Sequence, residues 1–220
     1  MKLLKIISFF LVAVIMLTVC ISCESLGTKE SLETKESLEI KGLKLKVFAD
    51  DTSSKNVILF SESANFSSAT RLEASISKII NVSGLDFPAN LESKGNSSDS
   101  DDYLIYTFYL KNSGAESVNI KSELDIEQAL SGADDSIRIR IYQSGDSITY
   151  AKLAENGMPE YGTTPFADNK KVFSAIDENV QPNEVIKYTV VAWIEGNDPE
   201  CLDSIRHGGL VMNFKFSLIK

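Results

Sequence analysis

Few of the 220 residues are of a type that performs chemistry. The chain has one histidine, His207, and three cysteines, Cys20, Cys23 and Cys201. A serine–histidine–acid triad would have to use His207. Its place just before Gly208 and Gly209 gives it a simpler use, as a polar or charged group closing a helix. GxSxG, HExxH and phosphate-cradling Gly-rich motifs are absent, and no Cys/His spacing suits zinc. Paired carboxylates of the glycosidase kind leave no local signature, because the two acids can lie far apart in the chain. The residues therefore read as a non-enzymatic protein with no catalytic residue, cofactor or metal site.

Four other features invite a chemical reading and have plainer explanations beside it. Arg138 and Arg140 alternate with Ile137, Ile139 and Ile141, which puts both arginines on the water-facing side of a strand, with a ligand-facing pair as the lesser reading. Trp193 reads as a core or sheet-edge aromatic before a sugar platform. The run NSSDSDD, Asn96 to Asp102, has carboxylates but lacks the closing bidentate acid of a calcium loop, so it reads as a solvated loop. Cys23 follows Cys20 and Ser22, a site that suits either a general signal peptidase or diacylation of Cys23. Lipidation would leave Cys201 unpaired; a free Cys23 leaves a bridge between the two or an intermolecular bond open.

Charge narrows the partners. There are 22 basic and 31 acidic residues, a net charge of −9; loss of Lys2 and Lys5 with a leader leaves 20 against 31, or −11. Nucleic acid binding needs clustered Lys and Arg, and the basic residues are scattered among acids. Nucleic acid is therefore not an expected partner.

The elements that would position these residues begin after a leader. Lys2 and Lys5 precede an apolar run fourteen residues long, Ile6 to Val19, interrupted by Ser8 and Thr18, and small residues follow. That is a signal peptide over residues 1–22, since a lasting bilayer span needs roughly twenty apolar residues. It places the protein outside the cell or on the outer face of the membrane, with a lipid on Cys23 as the membrane attachment. Residues 23–42 contain TKESLE twice, Thr28 to Glu33 and Thr34 to Glu39. Six is the wrong period for a helical stripe, whereas in an extended chain Leu26, Leu32 and Leu38 share one face. The segment reads as a tether spanning on the order of 25 Å as a coil, part of which could be lent to a neighbouring molecule as a strand.

Residues 43–220 read as strands and turns. Leu43, Leu45 and Val47 alternate with Lys44 and Lys46, and this edge-like segment is the candidate for strand donation. Tyr103 to Lys111 and Ser117 to Ile126, separated by Asn112-Ser113-Gly114, read as one hairpin. Ile137 to Tyr142 and Ile148 to Leu153, around Ser144-Gly145-Asp146, read as a second. Val185 to Glu195 and Leu210 to Ile219 are further strands. Between them a short helix is expected, with Asp198 as N-cap, Pro199 in first position, Arg206 and His207 at its end, and Leu202 and Ile205 turned towards the core.

The segment VQPNEVIKYTVVAWIEGNDPECLDSIRHGG, Val180 to Gly209, resembles the C-terminal signature of the camelysin/TasA-like proteins of Gram-positive bacteria. YTFYLKNSG (Tyr106 to Gly114), DDSIRIRIY (Asp134 to Tyr142) and YAKLAENGMPEYGTTPF (Tyr150 to Phe166) follow the order of that family. The resemblance covers about half of the chain. It implies an all-β, jelly-roll-like antiparallel sandwich, secretion, and biofilm-matrix fibres built by N-terminal strand donation, with self-association or contact with cell-surface or matrix proteins as the expected partnership. A lipid-anchored binding module that does not polymerise is the alternative. In this chain TKESLE repeats stand where the family's N-terminal block would be, and LFSESANFSSATRLEAS keeps only a faint likeness to it.

Overall fold

The computed structural model describes residues 41–67, 69, 71–88 and 90–219. The chain divides into two units, Met1–Glu39 and Ile40–Lys220, and the description concerns the second. The expected leader, the lipidation candidate Cys23 and nearly all of the 23–42 tether lie outside the described residues.

Alternation of apolar and polar residues makes strands of most of this unit. They are β1 (Gly42–Ala49), β2 (Ile58–Ser61), β3 (Arg71–Ile76), β4 (Asn81–Val82), β5 (Leu104–Asn112), β6 (Val118–Leu130), β7 (Ile137–Gln143), β8 (Asp146–Ala151), β9 (Thr164–Pro165), β10 (Lys171–Val180), β11 (Val185–Glu195) and β12 (Gly209–Ile219). A single α-helical turn, α1 (Thr52–Val57), joins β1 to β2. Asp51 caps it: its carboxylate accepts from the Ser54 amide at 2.9 Å and from the hydroxyls of Ser53 and Ser54. These bonds, the Ser53 hydroxyl first, hold the Asp51 carboxyl well below the usual range.

The strands form two sheets, one ordered β10-β6-β12-β1-β3 and the other β2-β5-β11-β7-β8-β9, with β4 also paired to β11. The architecture is the expected all-β sandwich, although its sheets are mixed. Three pairings are parallel: β1 with β12, β4 with β11, and β8 with β9. Between the sheets lies one apolar core. Its centre is aromatic: Phe108 of β5 stacks on Tyr188 of β11 at 5.3 Å, Phe214 stacks on Phe216 within β12 at 4.6 Å, and the two pairs meet edge to face. The Tyr188 hydroxyl donates to Asp177 at 2.6 Å, and burial pushes its pKa well above the ordinary value.

Two local expectations change. The segments around Asn112 are strands, but not a hairpin: β5 pairs with β2 and β11 in one sheet, β6 with β10 and β12 in the other. The connection crosses the sandwich at a corner held by buried Asn112, which donates to the carbonyls of Glu116 and Val180 at 2.9 Å and accepts from the Gly114 amide at 2.8 Å. The second expected hairpin is present. β7 and β8 are joined by Ser144 and Gly145, both with positive φ (53° and 91°), a two-residue turn whose twist matches that of paired strands.

The strand-donation candidates Leu43, Leu45 and Val47 lie in β1. All three are buried, paired to β12 on one side and β3 on the other within the same chain. The segment is thus an inner strand of its own sheet, and giving it to another molecule would be an exchange that opens this sandwich. The cost can be measured. Leu45 is fully buried, so Leu45→Ala should destabilise by about 2–5 kcal/mol. Lys44→Ala, which removes a half-exposed pair with Glu73, should stay within about 1 kcal/mol; urea midpoints of the two variants check both values.

Candidate functional site

The outer face of the second sheet carries its own small core. Ile105, Val191, Trp193 and Leu91 are buried there, with Phe87 and Tyr103 packed against them. These side chains point away from the sandwich because they alternate with the inward residues of β5 and β11. The segment from Ser83 to Tyr103 covers them. The Ser97 hydroxyl donates to the Tyr103 carbonyl and accepts from the Ile105 amide, and Asn96 accepts from the Thr107 amide. The residues of NSSDSDD thus serve as side-chain bonds tying this cover to β5, with Ser98 bonded to Asp101.

Beside this cluster the sheet face opens into a cavity of about 310 Å³, at the small end of the range for ligand pockets. Its floor is Trp193, Arg140 and Thr149, and its walls are two loops. One wall is the turn at Gly84 and Leu85. The Gly84 amide and the Trp193 indole both donate to Glu195 Oε2, at 2.9 and 3.0 Å, and Asn197 donates to Ser83 at 2.8 Å. A Cβ on Gly84 would lie 2.8 Å from the indole, so glycine permits this close approach. The other wall is the turn Glu160–Thr163, closed by the Thr163 amide on the Glu160 carbonyl at 3.1 Å, with Tyr161 at its corner, 99% exposed.

Arg138 corrects the expectation of two water-facing arginines. It is 5% exposed and paired with Asp198 at 2.5 Å and Glu160 at 3.1 Å. The outer face of β7 is covered at this point by the 160–163 and 197–200 loops, so the alternation that puts Arg138 outside the sandwich does not put it in water. Arg140 is half-buried, with its guanidinium 5.5 Å from the Trp193 ring centre and its Nε donating to Thr149 at 2.8 Å. It has no carboxylate partner among the described residues. Both members of the ligand-facing pair, the lesser reading of the sequence, line the cavity, and of the two only Arg140 is left without a carboxylate. Trp193 is 2% exposed and packs edge-on against Phe87 at 4.9 Å, a core aromatic as expected and not a platform.

Asp198 is likewise not a helix N-cap. Its Oδ1 accepts from the Glu200 amide, two residues on, while Oδ2 takes Arg138. The helical turn starts later, as a 3₁₀ turn over Asp203–His207 whose N-cap Leu202 makes no side-chain capping bond. Ile205 is buried as expected, but Leu202 is exposed. His207 is exposed, and Cys201 is a half-buried thiol, unbridged among the described residues, whose pKa burial raises.

Carboxylate oxygens of Glu160, Asp198 and Glu200 lie within 4.8 Å of one another, with Arg138 as the cation already bound among them. Burial first, and then the Glu200 carboxyl, raise Asp198 to about 6, while Glu200 is lowered, chiefly by its hydrogen bond with Asp198. Glu200 Oε2 is buried without a partner, which a proton shared with Asp198 would relieve. Glu160 joins the site with no mark in its local sequence pattern, because it lies in a loop and its partner Arg138 is on β7, far back in the chain.

No family model matches the chain, and no curated protein matches it. Among solved structures it is similar to part of a β-glucosidase from Kluyveromyces marxianus, at 14% identity and a TM-score of 0.25 over 83% of this chain and 19% of that one. A Xanthomonas citri α-xylosidase matches at 9% identity and a TM-score of 0.24, over 73% and 16%. The collagen-binding domain of an Erysipelothrix rhusiopathiae surface protein matches at 12% and 0.20, over 79% and 62%. The chain spans less than a fifth of either glycosidase, and likenesses this slight carry no argument about function.

The Asp198–Glu200 pair sets a pH dependence. An acid whose folded pKa lies above its ordinary 3.8 holds its proton more tightly in the folded state, so stability falls as the pH rises from about 4 to about 6. Glu200 works with the opposite sign below its ordinary 4.5. Glu200→Gln should flatten the fall between pH 4 and 6 without abolishing it, because burial of Asp198 remains. Urea midpoints of the two proteins across that range check this.

Proposed function

We propose that the protein is an exported surface protein, held on the outer face of a membrane through Cys23, whose sandwich is a non-enzymatic binding module. The cavity beside Trp193 carries this reading: a preformed concavity with an arginine that no acid of the described chain engages, framed by an exposed tyrosine. The basic start, short apolar run and small residues before Cys23 support export and anchoring, and the repeat tether supports a module carried clear of the surface. The burial of Leu43, Leu45 and Val47 in the chain's own sheet favours a module complete in one molecule over one finished by its neighbour.

The second reading is a matrix fibre subunit of the camelysin/TasA-like kind with jelly-roll connectivity. One observation favours it: β1 is the first of the described strands and pairs with β12 and β3. Its release would therefore leave a slot that the β1 of another copy fits, in the manner of domain swapping.

Labelled palmitate and membrane fractionation test the anchor. The intact protein should incorporate label and sediment with membranes, and Cys23→Ala should do neither; equal release of both proteins would overturn the anchor. For the module, the purified protein should bind isolated cell-wall or extracellular-matrix material saturably, sediment as a monomer, and lose binding on Arg140→Ala. Fibres by electron microscopy, with no saturable binding, would favour the second reading.

A further inference from the structure

The cavity's own chemistry defines the ligand it suits, granted the binding-module reading above. Its two arginines face three carboxylates, those of Glu160, Glu195 and Asp198. An anionic ligand would therefore meet a site that is already slightly negative, and a cation would meet Arg140 at its floor. What remains unpaired is of both hydrogen-bonding kinds. Arg140 keeps guanidinium donors without an acid partner, and Glu160, whose Oε2 engages Arg138, keeps Oε1 as an acceptor without a partner among the described residues. A ligand that offers donors and acceptors together, without net charge, satisfies such a set; hydroxyl groups do this, each being one donor and two lone pairs.

The rim adds the second half of the pattern. Tyr161 is 99% exposed and Leu85 85% exposed, on opposite walls of the cavity. Tyr161 sits at the corner of the turn Glu160–Thr163, beside Gly162 with φ 71°, so its ring stands at the mouth and is not folded back onto the sheet. A flat ring ligand with C–H faces and hydroxyl edges would lay a face on Tyr161 and an edge on Arg140 and Glu160. A ligand of that shape fits a cavity of about 310 Å³ as one or two rings, with further rings continuing over the rim past Leu85.

We infer that the cavity binds a neutral saccharide, with Tyr161 as the stacking platform and Arg140 and Glu160 as the donor and acceptor for its hydroxyls. Trp193, at the cavity floor beside Arg140, is the only tryptophan in the chain and reports occupancy.

The full chain is titrated with neutral trimers of glucose, mannose and N-acetylglucosamine, with a galacturonic acid trimer, and with an acidic hexapeptide, following Trp193 emission; a glycan array widens the panel. At least one neutral oligosaccharide should give a saturable emission change. Tyr161→Ala, which removes a side chain that packs on nothing and leaves the fold intact, should weaken it about tenfold or more. Arg140→Lys, which keeps the charge but loses the planar donors, should weaken it as well. Binding of the uronate trimer alone would overturn the assignment of a neutral ligand, and binding of the peptide alone the assignment of a saccharide, each leaving a binding module standing. No response to any glycan, with cell-wall or matrix binding intact, does the same; loss of both removes the module reading too.

Discussion

The contact on which everything else rests is the meeting of Phe214 and Phe216 with Phe108 and Tyr188 across the space between the two sheets. Two sheets, each apolar on one side, have no stable arrangement apart, and large rings supply most area per residue when they close. The position of β12 is fixed by this contact, because its alternate residues carry both Phe214 and Phe216. β12 in turn offers its main chain to β6 on one side and β1 on the other. The first of the described strands is therefore held against the last.

The same closure creates the site indirectly. Once β11 is the inner strand of its sheet, its outward residues Val191 and Trp193 need a cover, and the chain supplies one from the segment between β4 and β5. The cover is incomplete beyond Trp193, where β7 and β8 carry arginine and threonine instead of apolar residues, and the gap is the cavity. Arg138 then limits how far the loops can move. A guanidinium with almost no contact with water needs its carboxylates, so Glu160 and Asp198 tie the 160–163 and 197–200 loops to the sheet. The price of packing three acids near one arginine is a carboxyl that holds a proton at mildly acidic pH. The site is thus preformed by an ion pair whose balance depends on pH.

Much of the fold is legible in residue order because a strand with one buried face must alternate. β1, β7 and β12 follow the alternation, β5 and β11 stand out as aromatic and β-branched runs, and the Ser144–Gly145 turn is legible because a two-residue turn leaves the strands no choice but to pair. The longer connection at Ser113 to Ser117 gave no such constraint. Whether it folds back or crosses to the other sheet is decided by buried Asn112, whose bonds reach Val180, 68 residues away. The helix before β12 was misplaced for a related reason: Asp198 has the chemistry of a cap, but Arg138, 60 residues earlier, takes its carboxylate.

By itself the sequence determined an all-β chain and two arginines on the outward face of β7. Side-chain chemistry and periodicity are local properties, and they need no knowledge of what lies opposite. Only the tertiary structure decided that Arg138 is buried in an ion pair while Arg140 lines a cavity, that Glu160 belongs with them, and that Leu43, Leu45 and Val47 fill the interior of their own sheet. Each of those outcomes depends on a partner far away in the chain. Burial and pairing belong to surfaces that exist only once the two sheets have closed.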